Sequence, residues 1–156
     1  PLVGLMPRRA RTEELVEAVR AGERERVERL LRSGADADSA DAAGTPALHA
    51  ACATNRRALI GVLLEAGADV QRRSGDGWRE TPLHAALGSG AVGADGVAML
   101  LAHGADPTAR RADRQQPSAL ANQATADGRR AHALLTDAAA AWGADRPRKP
   151  SRPALA

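Results

Sequence analysis

Three observations in the sequence predict an all-α solenoid of stacked helix-turn-helix units. Gly34-Ala35-Asp36 recurs as Gly67-Ala68-Asp69, Gly104-Ala105-Asp106 and Gly143-Ala144-Asp145. Adjacent leucines fall at 30/31, 63/64, 100/101 and 134/135, at intervals of 33, 37 and 34 residues. Each interval has room for one turn and two short helices, and self-similarity at this period marks a repeat architecture. The third observation is the string Thr81-Pro82-Leu83-His84-Ala85-Ala86. It reads as a turn entering a helix, with Thr81 as N-cap, Pro82 at the first helical position, and Leu83 and the alanines facing inward. With 17 Leu, 8 Val, one Ile and no Phe or Tyr, the core is built from leucine, valine and alanine. That composition suits helices that approach closely and modules that lean on their neighbours.

Residues 1–11 hold two prolines, a glycine and then arginines, show no period, and read as a flexible lead. Thr12 is the expected N-cap of the first helix, with Glu13 and Glu14 at the positive end of its dipole and Leu15, Ala18 and Val19 facing inward up to Gly22. A second helix, Glu23 to Ser33, places Val27, Leu30 and Leu31 on one face and ends at Gly34, a left-handed cap. This pair has no turn before it, as an end-capping repeat would not. The units are expected at about 12–38, 39–71, 72–108 and 109–143.

The second unit runs through Gly44-Thr45-Pro46-Ala47-Leu48-His49-Ala50-Ala51. Aligning Leu48 and His49 with Leu83 and His84 puts Pro46 and Ala47 at the Thr81 and Pro82 positions, which predicts a weaker cap. The third unit is longer in its turn, around Ser74 to Glu80, and in the glycine-rich stretch Gly88 to Gly96, read as a mobile inter-helix loop. The fourth is degenerate: Gln116-Pro117-Ser118-Ala119-Leu120-Ala121 stands where the motif belongs, and Arg114 replaces the turn glycine. A last helix is expected over about Arg129 to Ala141. Residues 144–156 are basic and proline-rich, which reads as a disordered tail, although Pro153-Ala154-Leu155 echoes Pro46-Ala47-Leu48 as the stub of a further repeat would.

The Thr81–Ala86 string, its partial copies at 45–51 and 116–121 and the four Gly-Ala-Asp markers together resemble the ankyrin repeat over residues 12–143. The resemblance implies an ankyrin-repeat solenoid of antiparallel helix pairs whose β-turn fingers project at right angles, and a protein that binds other proteins. It also implies that Thr81 and His84 are structural, bonded to each other and to the neighbouring turn.

The function classes narrow from several directions. The pI of about 10.3 arises from 22 basic residues scattered among 19 acidic ones. Twenty-one of the 22 are Arg, a composition that speaks for coding bias rather than a basic face and argues against a nucleic-acid role. Cys52 is the single cysteine and has no internal disulfide partner, so a reducing compartment, the cytoplasm, is expected. The apolar run Pro1 to Met6 precedes Arg8, Arg9 and Arg11, the reverse of a secretory signal, and no run reaches transmembrane length.

His49 and Cys52, three apart on one helix, make half a zinc site without the other half, and His49 and His84 in successive repeats lie too far apart to share an ion. His103 and His132 fall in second helices. No nucleophile set, phosphate loop or carboxylate pair emerges, so no enzyme, cofactor or metal is expected.

Binding surfaces are expected at the finger tips and the exposed face of each first helix. The tip candidates are Ser39, Asp41 and Ala42 in the first finger, Arg72, Arg73, Asp76, Trp78, Arg79 and Glu80 in the second, and Arg110, Arg111, Asp113 and Arg114 in the third. Ala50, Thr54, Asn55 and Ser89 are placed on the helical face. Trp78 among its arginines is the expected hot spot, with a cover for apolar surface between fingers as its competing role. An acidic ligand is only weakly indicated, because Asp76 and Glu80 dilute the positive charge. The expected partner is a protein or peptide bound by a monomer. A structural repeat block of a larger assembly is the alternative.

Overall fold

The computed structural model describes residues 8–89 and 93–142. Its helices are α1 (Arg8–Ala21), α2 (Arg24–Arg32), α3 (Ala47–Ala53), α4 (Arg57–Glu65), α5 (Pro82–Gly88), α6 (Ala94–Ala102) and α7 (Ala126–Trp142), with a 3₁₀ turn at Pro117–Leu120 between α6 and α7. Among the described residues there is no strand beyond an isolated antiparallel bridge, Ala40 to Pro46. Two layers result. Helices α1, α3, α5 and the 3₁₀ turn pack in succession in one, while α2, α4, α6 and α7 do so in the other. Within each unit the two layers pair, as α1 with α2, α3 with α4, α5 with α6, and the 3₁₀ turn with α7.

The sequence markers are the joints of this stack. The carbonyls of Leu30 and Leu31 accept the N–H groups of Ala35 and Gly34, and the Leu63/Leu64 and Leu100/Leu101 pairs do the same for Ala68/Gly67 and Ala105/Gly104. That double bond closes a helix only if the glycine turns left-handed. Gly34, Gly67 and Gly104 have φ of 91°, 89° and 87°. The Asp that follows folds its carboxylate onto the backbone N–H two residues on, Asp36 to Asp38, Asp69 to Gln71 and Asp106 to Thr108, at 2.8–2.9 Å. Leu-Leu and Gly-Ala-Asp are therefore one device for ending a helix and starting a finger.

Between the layers lie Leu15, Val16, Val19, Val27, Leu48, Ile60, Leu63, Leu83, Val97, Leu100 and Leu135, each essentially without solvent exposure. Burying a leucine or valine contributes about 1.5–3 kcal/mol. Alanines line the helix contacts: in α3 every residue from Ala47 to Cys52 is buried, because α1 and α5 flank that helix and α4 backs it.

Three expectations are corrected. Helix α1 is already formed at Arg8, so Thr12 lies inside it and is not its N-cap; residues 8–11, Arg-Arg-Ala-Arg, are strong helix formers. The 88–96 stretch is not all loop. Gly88 ends α5, and Ala94, Asp95 and Gly96 open α6 because the Asp127 carboxylate accepts the Ala94 N–H at 3.1 Å, with Asp95 acidic in the first turn. The last helix starts at Ala126, three residues earlier than expected. The first helix of the fourth unit is reduced to the 3₁₀ turn. There Ser118 and Ala119 stand where Leu83 and His84 stand one unit earlier, so neither the apolar anchor nor the histidine is present. Gly143-Ala144-Asp145, the tail and the echo at 153–155 lie outside the described residues.

Candidate protein-binding surface

Each finger is a turn held by its own polar side chains. In the first, the Asp41 N–H donates to the Thr45 carbonyl at 3.0 Å, and the Asp41 carboxylate accepts the N–H groups of Ala43 and Thr45. The third repeats the pattern: Arg111 N–H to Gln115 carbonyl at 3.1 Å, with Asp113 accepting the Gln115 N–H. The second is wider. Its closing bond runs from Ser74 N–H to Glu80 carbonyl at 2.9 Å, and the buried Ser74 hydroxyl donates to Asp76 while accepting the Glu80 N–H. The two extra residues seen in the sequence are accommodated inside this turn.

The fingers are stitched to one another. Gly75 N–H donates to the Gly44 carbonyl at 2.8 Å, an approach so close that a Cβ on Gly44 would meet the Gly75 backbone at 2.9 Å. The Ala112 N–H donates to the Trp78 carbonyl at 2.8 Å. One Arg73 nitrogen donates to the carbonyls of Arg79 and Arg110, both at 2.8 Å, and Arg111 meets Glu80 at 2.7 Å and Asp113 at 2.8 Å. The Arg111 guanidinium lies 5.1 Å from the centroid of the Trp78 ring, a cation–π arrangement. Its hydrogen bonds hold the Asp113 carboxyl below the usual carboxylate range.

The two buried histidines anchor this row to the helices. His84 takes the Thr81 hydroxyl at 2.8 Å and the Thr81 N–H at 3.3 Å on Nδ1, so Nε2 carries the proton and donates to the Gln115 carbonyl at 3.1 Å. His49 donates from Nε2 to the Glu80 carbonyl at 2.8 Å. The acceptors are the carbonyls that close fingers three and two, so each histidine joins one unit's helix to the next unit's finger. Burial pushes both imidazoles below their ordinary pKa, which keeps them neutral as this bonding requires. The difference between them is the cap. Pro46, in the Thr81 position, has neither hydroxyl nor N–H, and the buried His49 Nδ1 has no hydrogen-bond partner among the described residues.

The candidate residues sort accordingly. Asp41 is drawn into its own turn and into an ion pair with Arg20 at 2.6 Å. Arg73 and Arg111 stitch fingers together, and Asp76, Glu80 and Asp113 answer turns and arginines. Arg72, Arg79, Arg110 and Arg114 are exposed. Trp78 is 53% exposed, the one large apolar side chain so exposed among the described residues. Ser39 and Ala50 are corrected: Ser39 is 4% exposed with its hydroxyl bonded to the Asp36 carbonyl, and Ala50 is 2% exposed, enclosed where α3 packs between its neighbours. Thr54 is exposed with its hydroxyl folded back on the Ala50 carbonyl at 2.7 Å, Asn55 is exposed at φ 53° in the α3–α4 turn, and Ser89 is exposed after α5.

Sequence reasoning put Arg114 in the turn-glycine position but missed that Arg79 shares it. Gly44, Arg79 and Arg114 fall 35 residues apart and all have left-handed backbone, with φ of 81°, 53° and 67°. It also passed over Gln115, whose carbonyl receives His84. Equal spacing from Gly44 and from Glu80 was the available signal.

Cys52 is fully buried and its thiol is pushed up to about 12 by burial. No group of three or more His, Cys, Asp or Glu able to hold a metal ion occurs among the described residues, nor any helix long and apolar enough to cross a membrane.

Helix pairs in two layers, Gly-Ala-Asp joints and histidines reaching the next finger define a repeat solenoid whose turns form one continuous edge. The family model for ankyrin repeats (3 copies) matches residues 15–111, and the chain belongs to the ankyrin-repeat family. It is 40% identical over 100 residues to palmitoyltransferase Hip14 of Drosophila melanogaster, across 64% of this chain and 15% of that protein. To ankyrin repeat and SOCS box protein 11 of Danio rerio it is 39% identical over 103 residues, across 66% of this chain and 33% of the relative. To protein phosphatase 1 regulatory subunit 27 of Mus musculus it is 34% identical over 103 residues, across 65% and 64%. The chain thus spans less than two thirds of each relative's length, and the likeness to the palmitoyltransferase lies in its ankyrin region. Ankyrin repeats are a protein-binding architecture.

Proposed function

We propose that the chain is a non-enzymatic interaction module that binds a protein or peptide as a monomer. It does so through its fingers and the exposed ends of α3 and α5, by surface complementarity alone. The observation that carries this reading is Trp78. A large aromatic side chain is left half in solvent while its backbone is bonded on both sides, N–H to Asp76 at 3.2 Å and carbonyl to Ala112 at 2.8 Å. A side chain presented from a fixed backbone loses little entropy on binding, and Trp and Arg are the residue types that most often anchor interfaces. The buried, protonated Cys52 thiol suits a reducing intracellular compartment.

The test is affinity capture from the source cell with wild-type chain and with Trp78→Ala. Proteins retained by the first and lost by the second support the reading, provided helicity by circular dichroism is unchanged. An identical set of captured proteins would place the binding surface elsewhere. The alternative, a structural block within a larger repeat protein, draws support from the much greater length of Hip14. A cooperatively melting, stable monomer counts against it.

A further inference from the structure

Fingers two and three, residues 72–80 and 109–116, hold six arginines against three carboxylates, a net charge of +3. The residues outside these two fingers balance, 16 basic against 16 acidic. The three carboxylates are engaged within the fingers: Glu80 with Arg111, Asp113 with Arg111 and the Gln115 N–H, and Asp76 with the Ser74 hydroxyl and the Trp78 N–H. A single arginine answers two of them. Arg72, Arg79, Arg110 and Arg114 are left exposed, with no carboxylate partner among the described residues.

The backbone supplies a second, independent observation. Arg79 and Arg114 occupy, one and two units on, the left-handed position that Gly44 occupies in the first finger. Any side chain with a Cβ is disfavoured there, and strain retained at an exposed position points to use of the side chain. Both strained residues are exposed arginines on the adjacent fingers that the Trp78–Arg111 contact joins.

We infer that this edge takes an acidic protein segment, several Asp or Glu residues around an apolar one, with the carboxylates on Arg72, Arg79, Arg110 and Arg114 and the apolar residue on the open face of Trp78. The inference rests on the finger-binding reading proposed above and adds the partner's chemistry. Guanidinium forks match carboxylates in geometry as well as charge, and an uncompensated positive edge speeds encounter with an acidic partner. A single-stranded nucleic acid fits less well, because it needs a row of aromatic rings to stack its bases and the fingers offer one.

The experiment is selection of random displayed peptides on the wild-type chain, followed by anisotropy titration of the enriched peptides and of a single-stranded RNA. The titrations use wild type, Trp78→Ala and the Arg79→Gly/Arg114→Gly double variant. Glycine relieves the backbone at both positions, so the double variant melts at or above the wild-type temperature and loss of binding cannot be ascribed to unfolding. Enriched peptides rich in Asp and Glu, weakened about tenfold or more by the double variant and weakened again on raising salt from about 50 mM to about 500 mM, support the inference. Neutral or basic peptides that Trp78→Ala still weakens would overturn the acidic partner and leave the finger surface standing. Peptides indifferent to both variants, or no enrichment, would overturn both. An RNA bound more tightly than any peptide would overturn the protein segment as the ligand.

Discussion

Replacing Pro46 with Thr should stabilise the protein. At the equivalent position 35 residues on, Thr81 gives His84 Nδ1 a hydroxyl at 2.8 Å and an N–H at 3.3 Å. Pro46 gives His49 Nδ1 neither, and His49 is 2% exposed, away from bulk solvent. The backbone is already right: Pro46 has φ −67° and ψ 154°, close to the −89° and 165° of Thr81. Leaving a buried acceptor unsatisfied costs about 1–3 kcal/mol. Against its recovery stands the greater freedom of the unfolded chain once the proline ring is gone, about 0.4–1 kcal/mol. The balance is a gain of about 1 kcal/mol, or about 2–4 °C in melting temperature for a chain of this size. Urea unfolding followed by circular dichroism measures it, and the same substitution made with His49→Ala removes the acceptor and isolates the cause. The reasoning fails if Pro46→Thr destabilises, or if the gain survives in the His49→Ala background.

Stability should also fall in mild acid. Both buried histidines have lowered pKa in the folded chain, so unfolding takes up protons that the native state refuses; stability is full above about pH 6.5 and declines below it, by at most about 1.4 kcal/mol per pH unit for each histidine. Urea midpoints that are flat between about pH 7.5 and 5.5 would contradict this. Gly128→Ala should destabilise by about 2 kcal/mol or more, because the new Cβ would fall 1.7 Å from the Asn122 carbonyl oxygen at the start of α7; a melt unchanged from wild type would show that this turn yields freely. The Cys52 thiol should react with Ellman's reagent at pH 8 at least about a thousandfold more slowly in the native state than in urea, given burial and a pKa of about 12, and rapid native labelling would show that α3 opens.

What was legible in the sequence was whatever repeats. Leu-Leu and Gly-Ala-Asp recur because each helix must end in the same two backbone bonds and the same left-handed glycine, and Thr81 with His84 could be read as scaffold because the motif is a local cap. The contacts between fingers were opaque. Arg73 and Arg111 look like Arg72 and Arg110 in a string of letters, yet the first two reach carbonyls and carboxylates 31–37 residues away. Arg72 stays exposed, and the exposed Arg110 side chain bonds within its own finger, to the Arg114 carbonyl at 3.2 Å. Ala50 looked accessible because its helix borders the fingers, but a helix flanked on three sides buries even its polar-facing positions. The start of α1 and the collapse of the fourth unit to a 3₁₀ turn depended on Arg-Ala helix propensity in one case and on two lost anchor residues in the other. A motif comparison weighs neither.

The central claim, that the chain works by binding through its second and third fingers, is tested most directly by oxidative footprinting of the complex with a captured protein. Trp78 is both the most reactive side chain on that edge and the one the claim turns on. Its oxidation should drop severalfold in the complex, while the exposed face of α4 and α6 labels as in the free chain. Protection of α4 and α6 with Trp78 still fully oxidised would contradict it.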